Sequence, residues 1–221
     1  ILENKVLSDL YIERPDHKKM VGNIYNGKIQ NIIPGMQAAF IDIGFHINAF
    51  LPFSEIIDIN KLNNISFSID DDGQNKISKK NDKKVQMEIG DEIMVQVIKE
   101  PFLGKGPRVT TELSLAGNLI VLVPNQSYIG ISKKISDKYE RKRLKNIIID
   151  FKPKNFGIIV RTIAISKDQS ILNNDFQTLL SEWEEINSKF MLCKAPEEIY
   201  NDYNFSKIIV RDLFTDNIDK L

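Results

Sequence analysis

In GMQAAFIDIGFHINAFLP, residues 35–52, two phenylalanines sit where an aromatic ring would meet a ligand more readily than a core. An extended segment over residues 37–43 sends successive side chains to opposite faces. Ala39, Ile41 and Ile43 then form one apolar face, and Phe40 shares the other with Ala38 and Asp42. The next segment repeats this arrangement, with Ile47, Ala49 and Leu51 on one side and Phe50 beside Asn48 on the other. A ring on a polar face gives up burial unless something stacks on it. Unpaired nucleotide bases supply such a partner, at about 1–3 kcal/mol per base. The competing reading is that both rings pack against a second domain, and these residues alone leave the two readings open.

The candidate cations follow. In FLGKGPR, residues 102–108, glycines on either side of Lys105 allow a tight turn that exposes the ammonium, with Arg108 just beyond. A cation there suits contact with a phosphate backbone. A lysine in a glycine turn is more often a solvated tip, and GKG falls far short of a nucleotide-binding P-loop. In VRT, residues 160–162, Arg161 and Thr162 can grip a phosphate from two directions, by a planar fork and by a hydroxyl. A strand-edge arginine paired with a carboxylate is the plainer alternative. Lys133, Lys134, Lys138, Arg141, Lys142, Arg143 and Lys145 form a basic stretch that reads as a solvated helix face. No nucleophile elbow, HExxH pair or cysteine–histidine pair is present. Asp70, Asp71 and Asp72 fall in a stretch that reads as mobile, which suits a rigid metal site poorly. No catalytic residue and no metal ligand is assigned.

These residues need a frame to hold them. Short β-like segments over residues 22–33, 36–43, 47–52, 92–100 and 107–113, punctuated by glycine, fit a five-stranded closed barrel of the OB kind. Residues 59–86, rich in Asn, Asp, Ser and Lys, read as a long mobile loop inside it. Beyond the barrel come an apolar run over 113–124, a strand within 127–135 and a basic helix over 136–150. A buried strand over 156–166 follows, then a helix over 168–191 whose Leu172, Phe176, Leu179, Trp183, Ile186 and Phe190 recur at steps of three and four. Pro196 closes that segment, and residues 205–214 read as a further strand.

With 221 residues the chain can bury a sizeable core, and 42% hydrophobic with 27% charged residues is ordinary for a globular protein. Thirty basic residues balance thirty acidic ones, so any attraction for nucleic acid must come from local patches. A single cysteine, Cys193, excludes an internal disulfide, and His17 and His46 are too scattered for a metal centre. No apolar stretch is long enough to span a bilayer, and no secretory signal is visible. The missing initiator Met and a start inside an apparent strand point to a fragment. Abundant Ile, Asn and Lys favour an AT-rich genome, with a plastid (chloroplast stroma) ahead of a bacterial cytoplasm as the compartment.

The runs NIYNGKIQNIIPGMQAAFIDIGFHINAFLP and IKEPFLGKGPRVTTELSLAGNLIVLVPN, followed in order by GISKKI and GIIVRT, resemble the N-terminal part of the ribonuclease E/G family. The resemblance covers nearly the whole chain outside residues 59–86 and implies an α+β, multi-subdomain fold. An S1-type OB domain over 21–114 would bind single-stranded RNA through Phe40, Phe50 and Lys105, with Arg108 added by the turn argument. A 5′-sensor region over 115–203 would hold a terminal monophosphate. There Arg161 pairs with the phosphate, Thr162 donates a hydroxyl bond, Gly117 leaves room for close backbone approach and Val121 packs on the first nucleotide. Residues 1–20 and 204–221 would be two segments of an incomplete RNase H-like subdomain, interrupted by the other two. Magnesium-binding aspartates, and the zinc-link cysteines that join subunits into homo-oligomers, would lie beyond Leu221. The expected partner is RNA rather than DNA, and a chain ending here would bind RNA without cutting it. The alternatives are a catalytically silent RNA-binding module and an OB-fold adaptor for a protein partner.

Overall fold

The computed structural model describes residues 2–3, 6–7, 19–56 and 87–202. Two short strands, β1 (Leu2–Glu3) and β2 (Val6–Leu7), pair antiparallel at the start. The expected loop over 59–86 and strand over 205–214 lie outside the described residues, as does most of the two RNase H-like segments.

Alternation of apolar and polar residues produces the barrel. Its strands are β3 (Ile24–Ile33), β4 (Ala38–Asp42), β5 (Ala49–Pro52), β6 (Glu92–Lys99) and β7 (Arg108–Thr110). They pair in the order β3-β4-β5-β7-β6, and β6 returns to β3, so the sheet closes on itself. All these pairings are antiparallel except β5 with β7, where Phe50 stands opposite Arg108. The inward faces are the expected ones: Ala39, Ile41, Ile43, Ala49 and Leu51 are buried with Tyr25, Ile29, Val95, Val97 and Val109. Closure removes the free sheet edges on which an open five-stranded sheet would aggregate.

Two glycines make closure possible. At Gly27 a β-carbon would overlap the side chain of Ile41 and approach the Asp42 carbonyl oxygen, so only glycine lets β3 bend over β4. At Gly106 a β-carbon would overlap the backbone carbonyl of Asn48, which places the leg leading into β7 hard against the entry to β5. The hydrogen bond from Phe50 N to Pro107 O, 2.8 Å long, locks the same contact.

The remaining residues form a second sheet with helices on one face. Its strands β8 (Leu115–Ala116), β9 (Ile120–Pro124), β10 (Ile129–Ile131) and β11 (Phe156–Val160) lie in the order β10-β11-β9-β8. Helix α1 (Lys138–Phe151) crosses between the parallel pair β10 and β11, and its N-cap Asp137 accepts a hydrogen bond from Tyr139 N. Helix α2 (Gln169–Leu192) lays Leu172, Phe176, Leu179 and Ile186 onto the sheet, while Trp183 and Phe190 are half-buried at its margin. A last strand, β12 (Glu197–Tyr200), pairs with β3. Among the described residues no helix is long and apolar enough to cross a membrane.

One sequence expectation needs correction, and one apolar run resolves into two strands. The buried strand over 156–166 stops at Val160. Arg161 N still bonds to Leu119 O across the sheet, and the chain then turns through a 3-10 segment, Thr162–Ala164, in which Ala164 N bonds to Arg161 O and Ile165 N to Thr162 O. The apolar run over 113–124 is two strands folded on a turn at residues 117–119, closed by Gly117 N to Ile120 O. Apolar content alone carries no signal for that reversal.

Replacing Gly106 by Ala should destabilise the fold by about 1–3 kcal/mol. Urea unfolding of the variant is expected to show a lower midpoint with an unchanged slope, and wild-type stability would contradict the closure argument.

Candidate nucleic-acid interface

Strand register places one row of side chains across the barrel wall. Asn31 stands opposite Phe40, Phe40 opposite Phe50, Phe50 opposite Arg108 and Arg108 opposite Lys99. The two phenylalanine rings meet edge to face, with centroids 5.8 Å apart and planes at 63°. Neither ring belongs to the barrel core. Each is nevertheless half-buried, because its neighbour covers part of it and Ala38, beside Phe40 on this face, is itself buried. A flat ligand on one ring would meet the edge of the other, an arrangement aromatic quadrupoles favour.

The charges beside this row are not equivalent. Arg108 Nη2 donates to Glu55 Oε1 at 3.0 Å, so its charge is already balanced. It therefore does not stand as the free cation the turn argument supposed. Glu55 is fixed for the role: its backbone oxygen accepts from the hydroxyls of Thr110 and Thr111 at 3.1 Å and from Thr111 N. Lys99 and Lys105 are exposed. Lys105 lies in the predicted turn between β6 and β7, where Phe102 and Lys105 exchange backbone hydrogen bonds of 3.1 and 3.0 Å. Sequence reasoning passed over Phe102 and Leu103 in that turn, both strongly exposed. His46, weighed there only as a metal ligand, lies against Phe45 with centroids 4.0 Å apart and planes tilted by 47°.

The second group of expected residues gathers at one end of the second sheet. Arg161 Nη1 donates to Gly117 O at 2.7 Å and Asn118 O at 3.2 Å, so the guanidinium holds the β8–β9 turn. Thr162 is exposed beside it, and Val121, opposite Ile159 and Ala116, is half-exposed on the sheet face away from the helices. Gly117 needs correcting. The space its missing β-carbon would take is filled by the Asp175 carboxylate and Leu179, so its smallness admits helix α2 and not a ligand. Asp175 is the residue sequence reasoning missed. Its carboxylate accepts from Asn118 N at 3.1 Å, Leu119 N at 2.8 Å and Ile120 N at 3.0 Å, pinning the same turn from below. A lone helical Asp gives no sequence signal for this, since its partners lie more than fifty residues away.

Helix α1 fixes the chain after Arg161. Glu140 accepts two 2.7 Å hydrogen bonds from Arg143 and one of 2.8 Å from Ser166 N, while Arg143 also donates to Lys167 O at 3.1 Å. The Arg143 hydrogen bonds, with the Ser166 amide second, hold the Glu140 carboxyl down at about 2. Arg141 Nη1 clamps Ser132 O at 2.8 Å and Ile135 O at 3.1 Å. The basic helix is therefore partly scaffold, and Lys133, Lys134, Lys138 and Lys142 supply its exposed charge.

Two family models match successive parts of the chain. The model of the "Ribonuclease E/G family" matches residues 114–221, and that of the "S1 RNA binding domain" matches residues 18–100. Ribonuclease G of Haemophilus influenzae is 31% identical over 221 residues, covering 100% of this chain and 44% of that protein. Ribonuclease G of Escherichia coli K12 is 29% identical over 220 residues, again covering 44% of that protein. The ribonuclease E/G-like protein of Porphyra purpurea is 33% identical over 204 residues, covering 89% of this chain and 36% of that protein. The chain thus spans less than half the length of these relatives.

Glu140 gives a pH test. Its folded pKa of about 2 lies below the ordinary 4.5, so its contribution is present above pH 4.5 and fades as pH falls towards 2. Glu140→Gln should cost about 1–2 kcal/mol at neutral pH, and the gap from wild type should close on acidification. A pH-independent gap in thermal unfolding would remove the charge from the account.

Proposed function

We propose, from the premise that this chain belongs to the ribonuclease E/G family, that it is the RNA-capturing portion of a single-strand-specific endoribonuclease. The observation that carries the reading is the row Asn31–Phe40–Phe50–Arg108–Lys99, with two rings held outside the core of a closed barrel. Bases stack on Phe40 and Phe50, and the exposed ammonium groups of Lys99 and Lys105 meet the phosphate backbone alongside. Stacking needs unpaired bases, which gives the preference for single strands.

Arg161 and Thr162 receive a 5′-monophosphate in this reading. The guanidinium is oriented by its grip on Gly117 O and Asn118 O, and Thr162 adds a hydroxyl donor. Val121 offers an apolar surface to the first nucleotide. Asp175 acts indirectly, by holding the turn that Arg161 grips.

Hydrolysis in this reading uses Mg2+. Among the described residues no group of three His, Cys, Asp or Glu side chains is placed to hold a metal ion. The Ile-, Asn- and Lys-rich composition and the likeness to red-algal proteins favour a plastid as the compartment.

Two measurements test the proposal. The double variant Phe40→Ala, Phe50→Ala should bind an unstructured oligouridylate about tenfold more weakly or worse, with the salt dependence of binding kept. Unchanged affinity would point instead to rings that hold a protein surface. For the 5′ end, wild type should prefer a 5′-monophosphate over a 5′-hydroxyl on the same oligonucleotide. Arg161→Ala should abolish that preference and Asp175→Asn should reduce it, both leaving 5′-hydroxyl binding intact. Equal binding of the two RNAs by wild type would remove the phosphate pocket while leaving the platform.

A further inference from the structure

The tip of the β6–β7 hairpin is an unusual place for its residues. Phe102 is 71% exposed and Leu103 is 84% exposed. Leu103 and Gly104 both take positive φ, 45° and 76°, the signature of a two-residue type I′ turn. Such turns favour Asn-Gly, because a leucine in the left-handed region is sterically strained. Position 103 thus combines backbone strain with an apolar side chain in water, and its neighbour exposes an aromatic ring. Neither side chain is needed to close the turn, whose hydrogen bonds run between the backbones of Phe102 and Lys105.

The hairpin is also aimed. Its return leg is seated against the β5 entry, where Gly106 leaves no room beside the Asn48 carbonyl and Pro107 O accepts from Phe50 N. Its two strands carry Lys99 and Arg108, the last members of the row that contains Phe40 and Phe50. The tip therefore joins the two strands at the Lys99–Arg108 end of that row, with Lys105 in the same turn.

We propose that Phe102 and Leu103 form a third apolar contact for single-stranded RNA, taking a base or sugar beyond the two on the platform. The proposal rests on the platform reading above and lengthens the bound segment. Phe102 stacks on the next base, Leu103 packs against its edge, and Lys105 meets the intervening phosphate. Lysine beside exposed apolar groups suits an anionic ligand with flat faces better than a neutral protein surface.

The test uses the full chain and 5′-hydroxyl oligouridylates of about 4 and about 12 nucleotides, which bracket the reach of one OB fold. Phe102→Ala should weaken the longer RNA by about 5- to 100-fold and leave the shorter nearly unchanged. Leu103→Asn makes the favoured turn pair, so it should raise Tm by about 2–4 °C while weakening the longer RNA a few-fold. A purely structural role would move both in the same direction. If both variants bind the longer RNA as wild type does while Phe40→Ala, Phe50→Ala loses affinity, the tip contact is overturned and the platform stands. If the platform variant also binds normally, both readings fall. If Phe102→Ala changes the oligomeric state by sedimentation and not RNA affinity, the tip is a protein contact and the proposal is overturned.

Discussion

Everything in this fold hangs on the pairing of one strand. β3 runs for ten residues and pairs with three strands, two of them sharing one edge. Over Ile24–Lys28 it pairs with β6, and over Lys28–Ile33 with β4, so the barrel closes across its bend at Gly27. The edge that β4 leaves at Ile24–Asn26 is taken by β12, which arrives from the second unit after α2. A strand interior offers each residue only one donor and one acceptor, and over Ile24–Asn26 both edges of β3 are occupied. The sharp bend that allows this is affordable only where no β-carbon intervenes.

The charged groups divide by chemistry. Arg108, Arg141, Arg143 and Arg161 all turn their forks inward, to a carboxylate or to backbone carbonyls at the ends of elements. A planar guanidinium can satisfy several fixed acceptors at once, whereas an ammonium is better hydrated and stays outside. The lysines near the barrel row and along α1 are accordingly the exposed cations. A chain with zero formal net charge thereby presents local positive surface without a basic composition.

Much of this was legible in advance, for identifiable reasons. Period-two alternation put Ala39, Ile41, Ala49 and Leu51 inside the barrel and the two phenylalanines outside its core, because pleating leaves no other choice. The stripe on α2 was equally plain, since steps of three and four define one helix face. What stayed hidden depends on long-range pairing. β12 is a four-residue strand with two glutamates, and only the vacant edge of β3 makes it a strand. Arg108 looked like a free cation because Glu55 lies 53 residues away, and Gly117 looked like a ligand gap because Asp175 is 58 positions distant. The early stop of the strand at Val160 reflects the 3-10 turn that follows, closed by Ala164 N to Arg161 O and Ile165 N to Thr162 O, against a β-branched run that would otherwise continue.

The junction of the two units fixes their surfaces relative to one another. Consecutive residues of β3 face different cores: Ile24 is buried in the second unit and Tyr25 in the barrel. Around them the polar groups are matched in pairs. Gln96 donates to Gly22 O at 2.8 Å and Ser114 O at 2.9 Å while accepting from Ser114 N at 2.8 Å, which ties the barrel to the start of β8. Glu198 of β12 accepts from Tyr25 Oη at 2.9 Å and Asn23 Nδ2 at 3.2 Å, and burial first, with this carboxylate adding, pushes the Tyr25 phenol up to about 12. Moving one unit against the other would strip partners from buried polar groups on both sides, each at a cost of about 1–3 kcal/mol. The joint is therefore a shared wall and not a hinge. The span between the two phenylalanine rings and the Arg161 turn is thereby set by the protein.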